Sequence, residues 1–244
     1  MKQKAIVMGA SSGIGKEVAQ RLLADGWQVG LAARRHDALE ELARTYGDAA
    51  ITAQIDITDE QATHQLRDLI TQLGGVDLYF HASGIGWQNS NLSEEIEIKT
   101  VNTNGMGFTR MVGEAFRWMA AHGGGHIAVI TSVAGTRGLG PAPAYSATKA
   151  FQNTYVQALE QLSNNRKLGI RFTDLRPGFV DTDLIKGSHF PMTMPRDLVA
   201  DEIMWAITMR RHVRVIDWKW RLTVFFWRMI PAALWRKLPL IKNK

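Results

Sequence analysis

The 244-residue chain contains no cysteine. That excludes a disulfide framework and any thiolate metal or redox site, and it fits a reducing cytosol. Long apolar runs are also missing. The N-terminal "MKQKAIVMGA" has two lysines and a short apolar stretch, but the stretch is far shorter than a signal core and leads directly into a glycine turn, so secretion is not indicated. No internal repeat or low-complexity linker divides the chain, which is interrupted only by glycine and proline clusters of ordinary loop length. Acids are nearly absent from one end. Residues 210–244 hold ten of the 29 Lys/Arg and one of the 23 Asp/Glu, Asp217, so the net charge of +6 resides in the tail. With 45% hydrophobic residues the chain can bury one sizeable core. The expected partition is one α/β body over residues 1–217 and a basic, Trp-rich extension over 218–244.

The segment "KAIVMGASSGIGKEVAQRLLADG" reads as a strand, Ala5 to Met8, a glycine turn, and a helix with Ile14, Val18, Leu22 and Leu23 on its apolar face. Gly9 and Gly13 let the backbone turn tightly and approach a ligand. A helix beginning near Gly13 aims free N–H groups and the positive end of its dipole at an anion, which describes a pyrophosphate cradle. "GASSG" also satisfies the nucleophile-elbow pattern G-x-S-x-G, and "HGGG" at 122–125 resembles a lipase oxyanion loop. Chain order rejects that reading, because Ser11 follows the first strand whereas the HGGG comes long after it. His122 and His126 have no third ligand at recognisable spacing, so no metal site is expected.

Two further strands, ending near Ala33 and at Asp56, complete a βαβαβ half of a dinucleotide fold. About 20 residues after the glycines an NAD site would place an acid for the ribose 2′-hydroxyl. This chain has Ala33, Arg34 and Arg35 there, and an arginine fork suits a 2′-phosphate, so NADP(H) is the expected cofactor. Arg34 is the preferred contact. Arg35 reads equally as a second contact or as an exposed arginine at a helix start.

In "AYSATKA" a phenol at Tyr145 and an ammonium at Lys149 stand one helical turn apart, and Ser132 precedes the tyrosine by 13 residues. With "GASSGIG", "HASG", "VNTNG" and "RPGFVDT", this spacing makes residues 3 to 217 resemble the one-domain branch of the short-chain dehydrogenase/reductase family. The resemblance implies a Rossmann-like, doubly wound, mostly parallel seven-stranded sheet with helices on both faces. It implies that Ser132, Tyr145, Lys149 and Asn102 form the catalytic set. It further implies cofactor contacts at Gly9, Ser11, Ser12, Gly13, Ile14, Gly15, Arg34, Arg35, Asp56, Ile57, Ala82, Ser83, Gly84, Asn102, Tyr145, Lys149, Pro177, Gly178, Val180 and Thr182. A homodimer or tetramer is implied through helices near residues 100–121 and 145–163, with Gly105, Gly107, Ala147 and Ala150 permitting close approach.

The chemistry agrees independently. A hydride delivered to a carbonyl leaves an oxyanion that needs a proton donor, Tyr145, and a second hydrogen bond, from Ser132. Lys149, with the positive charge of the oxidised nicotinamide, is expected to lower the phenol's pKa. Two positions depart from the family pattern: Met8 replaces a threonine and His81 an asparagine, and His81 either restores the lost tie between strands or is a bystander. A protein that only senses the NADP(H) ratio is the alternative, though it has no reason to keep all three of Ser132, Tyr145 and Lys149.

Residues 181–197, with Leu184, Ile185, Phe190, Met192 and Met194, give an apolar cover and suggest an apolar or lipidic ketone or alcohol as substrate. In residues 218–244, Trp218, Trp220, Trp227 and Trp235 interleave with Lys219, Arg221, Arg228, Arg236 and Lys237. The apolar stretch from Leu222 to Trp235 is interrupted by Arg228 and Pro231 and is too short to span a bilayer. The segment reads either as an interfacial segment on anionic lipid or as an arm that packs on the body or on a second subunit and lines the substrate entrance. Nucleic acid is disfavoured by its apolar content. The location expected is cytoplasmic, peripheral at the inner face of the membrane.

Overall fold

A computed structural model describes residues 2–185, 187 and 190–238 of the chain. The elements follow as β1 (Lys4–Met8), α1 (Gly13–Ala24), β2 (Gln28–Ala33), α2 (His36–Tyr46), β3 (Ala50–Gln54), α3 (Ala62–Leu73), β4 (Leu78–His81) and α4 (Glu94–Val101). A π-helical turn, Asn102–Gly107, leads into α5 (Phe108–Ala121), followed by β5 (Gly125–Ile130), α6 (Pro143–Arg166), β6 (Ile170–Arg176), α7 (Arg196–Thr208) and β7 (Val213–Val215). The chain then forms α8 (Trp218–Met229) and a short α9 (Ala232–Trp235).

The seven strands form one sheet in the order β3-β2-β1-β4-β5-β6-β7. Every pairing is parallel, so no antiparallel edge strand is added. Strand order reverses between β1 and β4, and in such sheets the crevice beyond the strands' C-terminal ends at that point takes the ligand.

Side chains alternate across each strand, so a sheet covered on both faces needs near-continuous apolar strands. In β1, Ala5 and Val7 enter one core with Leu22 of α1, Leu39 of α2, Ile203 of α7 and Trp220 and Val224 of α8. Ile6 and Met8 enter the other with Leu66 of α3, Phe108 and Met119 of α5 and Val156 of α6. The inner face of α8 is therefore part of the body's core, continuous with the layer of α1 and α7. The glycines of the "HGGG" form the turn into β5: a Cβ on Gly124 would lie 2.5 Å from the Gly169 carbonyl oxygen.

Candidate active site

The glycine turn connects β1 to α1 as a cradle with little room for side chains. Gly9 and Gly13 have φ of +98° and +54°, the left-handed region that glycine tolerates. A Cβ on Gly9 would lie 2.8 Å from the Ser83 amide nitrogen, and one on Gly15 only 2.1 Å from the Gly9 carbonyl oxygen. The loops after β1 and β4 thus touch, bringing Ala82, Ser83 and Gly84 beside the turn, and α1 seats directly on it. Ile14 packs partly buried against the core. Thr182 reaches over from the loop after β6, its Cγ2 3.3 Å from where a Gly13 Cβ would stand.

At the tip of β2 the two arginines diverge. Arg35 folds back on the turn and donates to Ser12 Oγ at 2.5 Å and Ser11 Oγ at 3.2 Å. Arg34 is exposed and stands near Asp56. Burial pushes the Asp56 carboxyl up, but bonds from the Thr58 amide and hydroxyl and the Arg34 charge outweigh it, and the net pKa is lowered. Arg34, Arg35, His36, Asp37, Ala38 and Gln54 line a recess of about 600 Å³. A turn that has no room for a Cβ at Gly9 or Gly15, opening toward a recess lined by Arg34, Arg35 and Asp37, fits the phosphates of a dinucleotide.

Ser132, Tyr145 and Lys149 come together from β5 and α6. Pro143 starts α6 in its first turn, where a missing N–H costs nothing, and the Ala144 amide donates to Glu97 Oε2 of α4 at 3.1 Å. Tyr145 lies with its ring against Gly86, where a Cβ would meet Tyr145 Cδ2 at 2.5 Å. Ser132 Oγ accepts from the Ala134 amide at 3.1 Å, donates to the Pro177 carbonyl at 3.4 Å, and stands on the Tyr145 side of the site, where it pulls the phenol's pKa down. Lys149 Nζ lies 5.8 Å from the Tyr145 ring centre and donates to the Ile130 carbonyl and to Gln152 Oε1.

Burial raises the Tyr145 phenol above its ordinary value while the Ser132 hydroxyl pulls the other way. Burial also drives the Lys149 ammonium down to about 8, opposed by the charge of Asp174.

Asn102 does not join this group. It opens the π-helical turn on the exposed side. Asn104, two residues on, is fully buried; its Oδ1 accepts from the Ile85 amide at 2.9 Å and its Nδ2 donates to the Ile85 carbonyl at 2.7 Å. Its Oδ1 also borders Gly84, 3.3 Å from where a Cβ would stand, with Lys149 Nζ at 3.7 Å from the same point. Gln152 joins the set by linking Lys149 to the Asn104 carbonyl, to which its Nε2 donates at 2.8 Å. The sequence reading missed Asn104 and Gln152. The signal for Asn104 was the second asparagine in "VNTNG"; Gln152 carried none beyond lying three residues after Lys149.

His81 is fully buried in register with Met8 and bonds Tyr79 Oη through Nδ1 at 3.0 Å, so its side chain bonds within β4 rather than to β1. Its Nε2 has no partner among the described residues. Burial and the nearby Lys149 charge lower its pKa to about 3, which keeps it neutral.

The loop after β6 closes the other side. The Pro177 carbonyl accepts from the Val133 amide at 3.0 Å, and Val180 forms a bridge with Met194. Met194 is buried in the core, so of the expected apolar cover only Leu184, Ile185, Phe190 and Met192 remain at least partly accessible. Phe179 stacks on Phe190 at 4.1 Å between ring centres. Trp220 of α8 lies on this loop: a Cβ on Gly178 would fall 2.0 Å from Trp220 Cε2, and Trp220 Nε1 donates to the Met192 carbonyl at 3.3 Å. The Trp235 indole donates to the Gly138 carbonyl, and Arg137 donates to the carbonyls of Arg228 and Ile230. The arm expected at the substrate entrance is thus packed on both loops that frame the site. Residues 239–244 of the extension lie outside the described residues.

A family model described as short chain dehydrogenase matches residues 3–189. An oxidoreductase of Myxococcus xanthus is 34% identical over 194 residues, covering 77% of this chain and 76% of its own. A short-chain dehydrogenase of Burkholderia cenocepacia, solved with NADP, has 18% identity, a TM-score of 0.85 and coverage of 98% of both chains. A 3-ketoacyl-(acyl-carrier-protein) reductase of Brucella melitensis, solved with NADH, has 22% identity and a TM-score of 0.77 over 88% of this chain and 96% of its own.

Proposed function

We propose, from the premise that the chain belongs to the short-chain dehydrogenase family, that it is an NADP(H)-dependent oxidoreductase interconverting a ketone and a secondary alcohol on an apolar substrate. The observation that carries this reading is the convergence of Tyr145 with the buried Ser132 and with a buried Lys149 whose Nζ lies 5.8 Å from the Tyr145 ring centre, at the strand tips beside the glycine cradle. When bound, the nicotinamide supplies the hydride to the carbonyl carbon. Tyr145 Oη gives its proton to the carbonyl oxygen as charge develops there, and Ser132 Oγ supplies a second hydrogen bond to the same atom. Lys149 places a positive charge behind the phenol as its proton leaves. Asn104, not Asn102, holds the loop at Ile85 and, with Gln152, the polar surroundings of Lys149.

Two features support NADP(H) over NAD(H). The β2 tip itself, Ala33 to Arg35, carries no acid where a ribose hydroxyl would need one, and the exposed Arg34 stands at the edge of the recess, which Asp37 lines farther along. The partly accessible Leu184, Ile185, Phe190 and Met192 favour an apolar ketone.

The test is oxidation of NADPH and NADH against ketones graded from small diketones to lipidic 3-keto compounds. Turnover is expected with NADPH in preference to NADH and to rise with apolar length. Tyr145→Phe is expected to abolish it while NADPH binding, read by fluorescence, stays nearly unchanged. Retained turnover in that variant removes Tyr145 as the proton donor.

A further inference from the structure

Helix α8 is apolar on two opposite faces, and only one of them is covered. Trp220 and Val224 point into the body, with Trp227 partly buried beside them. On the other side Leu222, Phe225, Phe226 and Met229 are 49%, 59%, 58% and 66% exposed, with Trp218 exposed at the helix start. At 3.6 residues per turn these five side chains fall within an arc of about 100°. A soluble surface helix would carry charge there.

The cations stand where this arc ends. On the same helical wheel Lys219 lies at one margin of the apolar stripe, and Arg221 and Arg228 lie beyond the other; all three are exposed. No Asp or Glu occurs anywhere in residues 218–244. A second copy of the chain would bring these cations against a surface that offers them no acid from the matching helix. A bilayer with anionic headgroups answers both features at once: the stripe enters the acyl boundary, and flanking Lys and Arg meet phosphate. No helix among the described residues is long and apolar enough to cross a membrane, so the attachment is parallel to the surface.

We propose that the outer face of α8 docks the protein on an anionic lipid bilayer, with the helix lying in the plane of the interface. The inner face of the same helix holds one substrate-side loop through Trp220 on Gly178, and α9, directly after it, holds the other through Trp235 on Gly138. Docking therefore brings the site's entrance to the lipid, and the apolar substrate is drawn from the bilayer. This last step rests on the function proposed above; docking itself does not.

The experiment uses the full chain, because truncation after Asp217 would strip Trp220 from Gly178 and disturb the site. Co-sedimentation is measured with vesicles of phosphatidylcholine plus phosphatidylglycerol and with phosphatidylcholine alone, while NADPH binding is read separately by fluorescence. Wild-type protein is expected to pellet with the anionic vesicles, less so as salt is raised. The triple variant Phe225→Ser, Phe226→Ser, Met229→Ser is expected to bind them more than about tenfold more weakly with NADPH binding unchanged. Wild-type protein left in the supernatant at low salt overturns the proposal. So does a triple variant that pellets like the wild type, or one that loses a subunit in light scattering, which would assign the stripe to a second copy.

Discussion

Tyr145 is buried enough that its phenol stays protonated well above neutrality, and this sets the direction of the pH dependence. Reduction consumes that proton, so it needs no titration of Tyr145 in the neutral range. Oxidation of the alcohol needs the phenolate, which becomes more populated as pH rises. Lys149, lowered to about 8, is charged below that value and loses its ammonium above it. The kcat/KM for ketone reduction is therefore expected to be flat below about pH 8 and to fall above it as the lysine deprotonates. Alcohol oxidation is expected to increase with pH from neutrality. His81, lowered to about 3, stays neutral throughout and contributes no inflection near 6.5. Initial rates in both directions from pH 5 to 10 check this. An inflection near 6.5 that vanishes in His81→Gln would give the histidine a role that its bond to Tyr79 does not suggest.

Between α4 and α5 the backbone widens into a π turn, and this local irregularity decides which asparagine faces the site. Residues two apart on a helix point to nearly opposite sides, so Asn102 and Asn104 cannot both face inward. The turn puts Asn104 against Ile85 and Gly107 against Ile57, whose Cγ1 would be 2.8 Å from a Gly107 Cβ. Asn104→Ala is expected to lower kcat by at least about tenfold, because it removes both partners of the partly buried Ile85 backbone groups and lets that loop beside Lys149 shift. Asn102→Ala at the exposed position is expected to stay within about twofold. Equal effects of the two substitutions, with folding checked by circular dichroism, would put the turn's register in question. The glycine cradle was legible in the sequence because only glycine tolerates the positive φ and the Ser83 contact at Gly9. The spacing of Ser132, Tyr145 and Lys149 was legible because a strand end and one helical turn suffice to place them. The choice between Asn102 and Asn104 was not, since a π turn leaves no periodicity to read. Nor was the inner face of α8, where tryptophans among cations look alike whether they pack on Gly178 or face lipid.

Across the whole molecule, the surface where the end of α4, the π turn and the start of α5 meet α6 holds a second apolar area that is separate in sequence from the stripe on α8. Val101, Met106 and Phe151 are exposed there and, with Gly105 and Ala147, line a groove of about 490 Å³. Gly107 does not belong to this surface, since its space is taken by Ile57 within the same chain. Gly105, Ala147 and Ala150 do lie at or near the surface and leave room for a facing backbone. An isolated apolar side chain on a surface needs no partner, but several sharing one groove on long helices do. A two-fold axis would set the groove against its own copy, so each protruding Phe151 has the same apolar walls to enter. The protein is therefore expected to be a dimer in light scattering at micromolar concentration. Phe151→Asp should shift it to monomer, because each association would bury two carboxylates in a groove whose one cation per copy, Arg110, is already bonded to the Thr58 carbonyl. Retention of vesicle binding by that monomer would show that the groove and the α8 stripe act independently; a wild-type protein already monomeric would leave this groove with no copy to cover it.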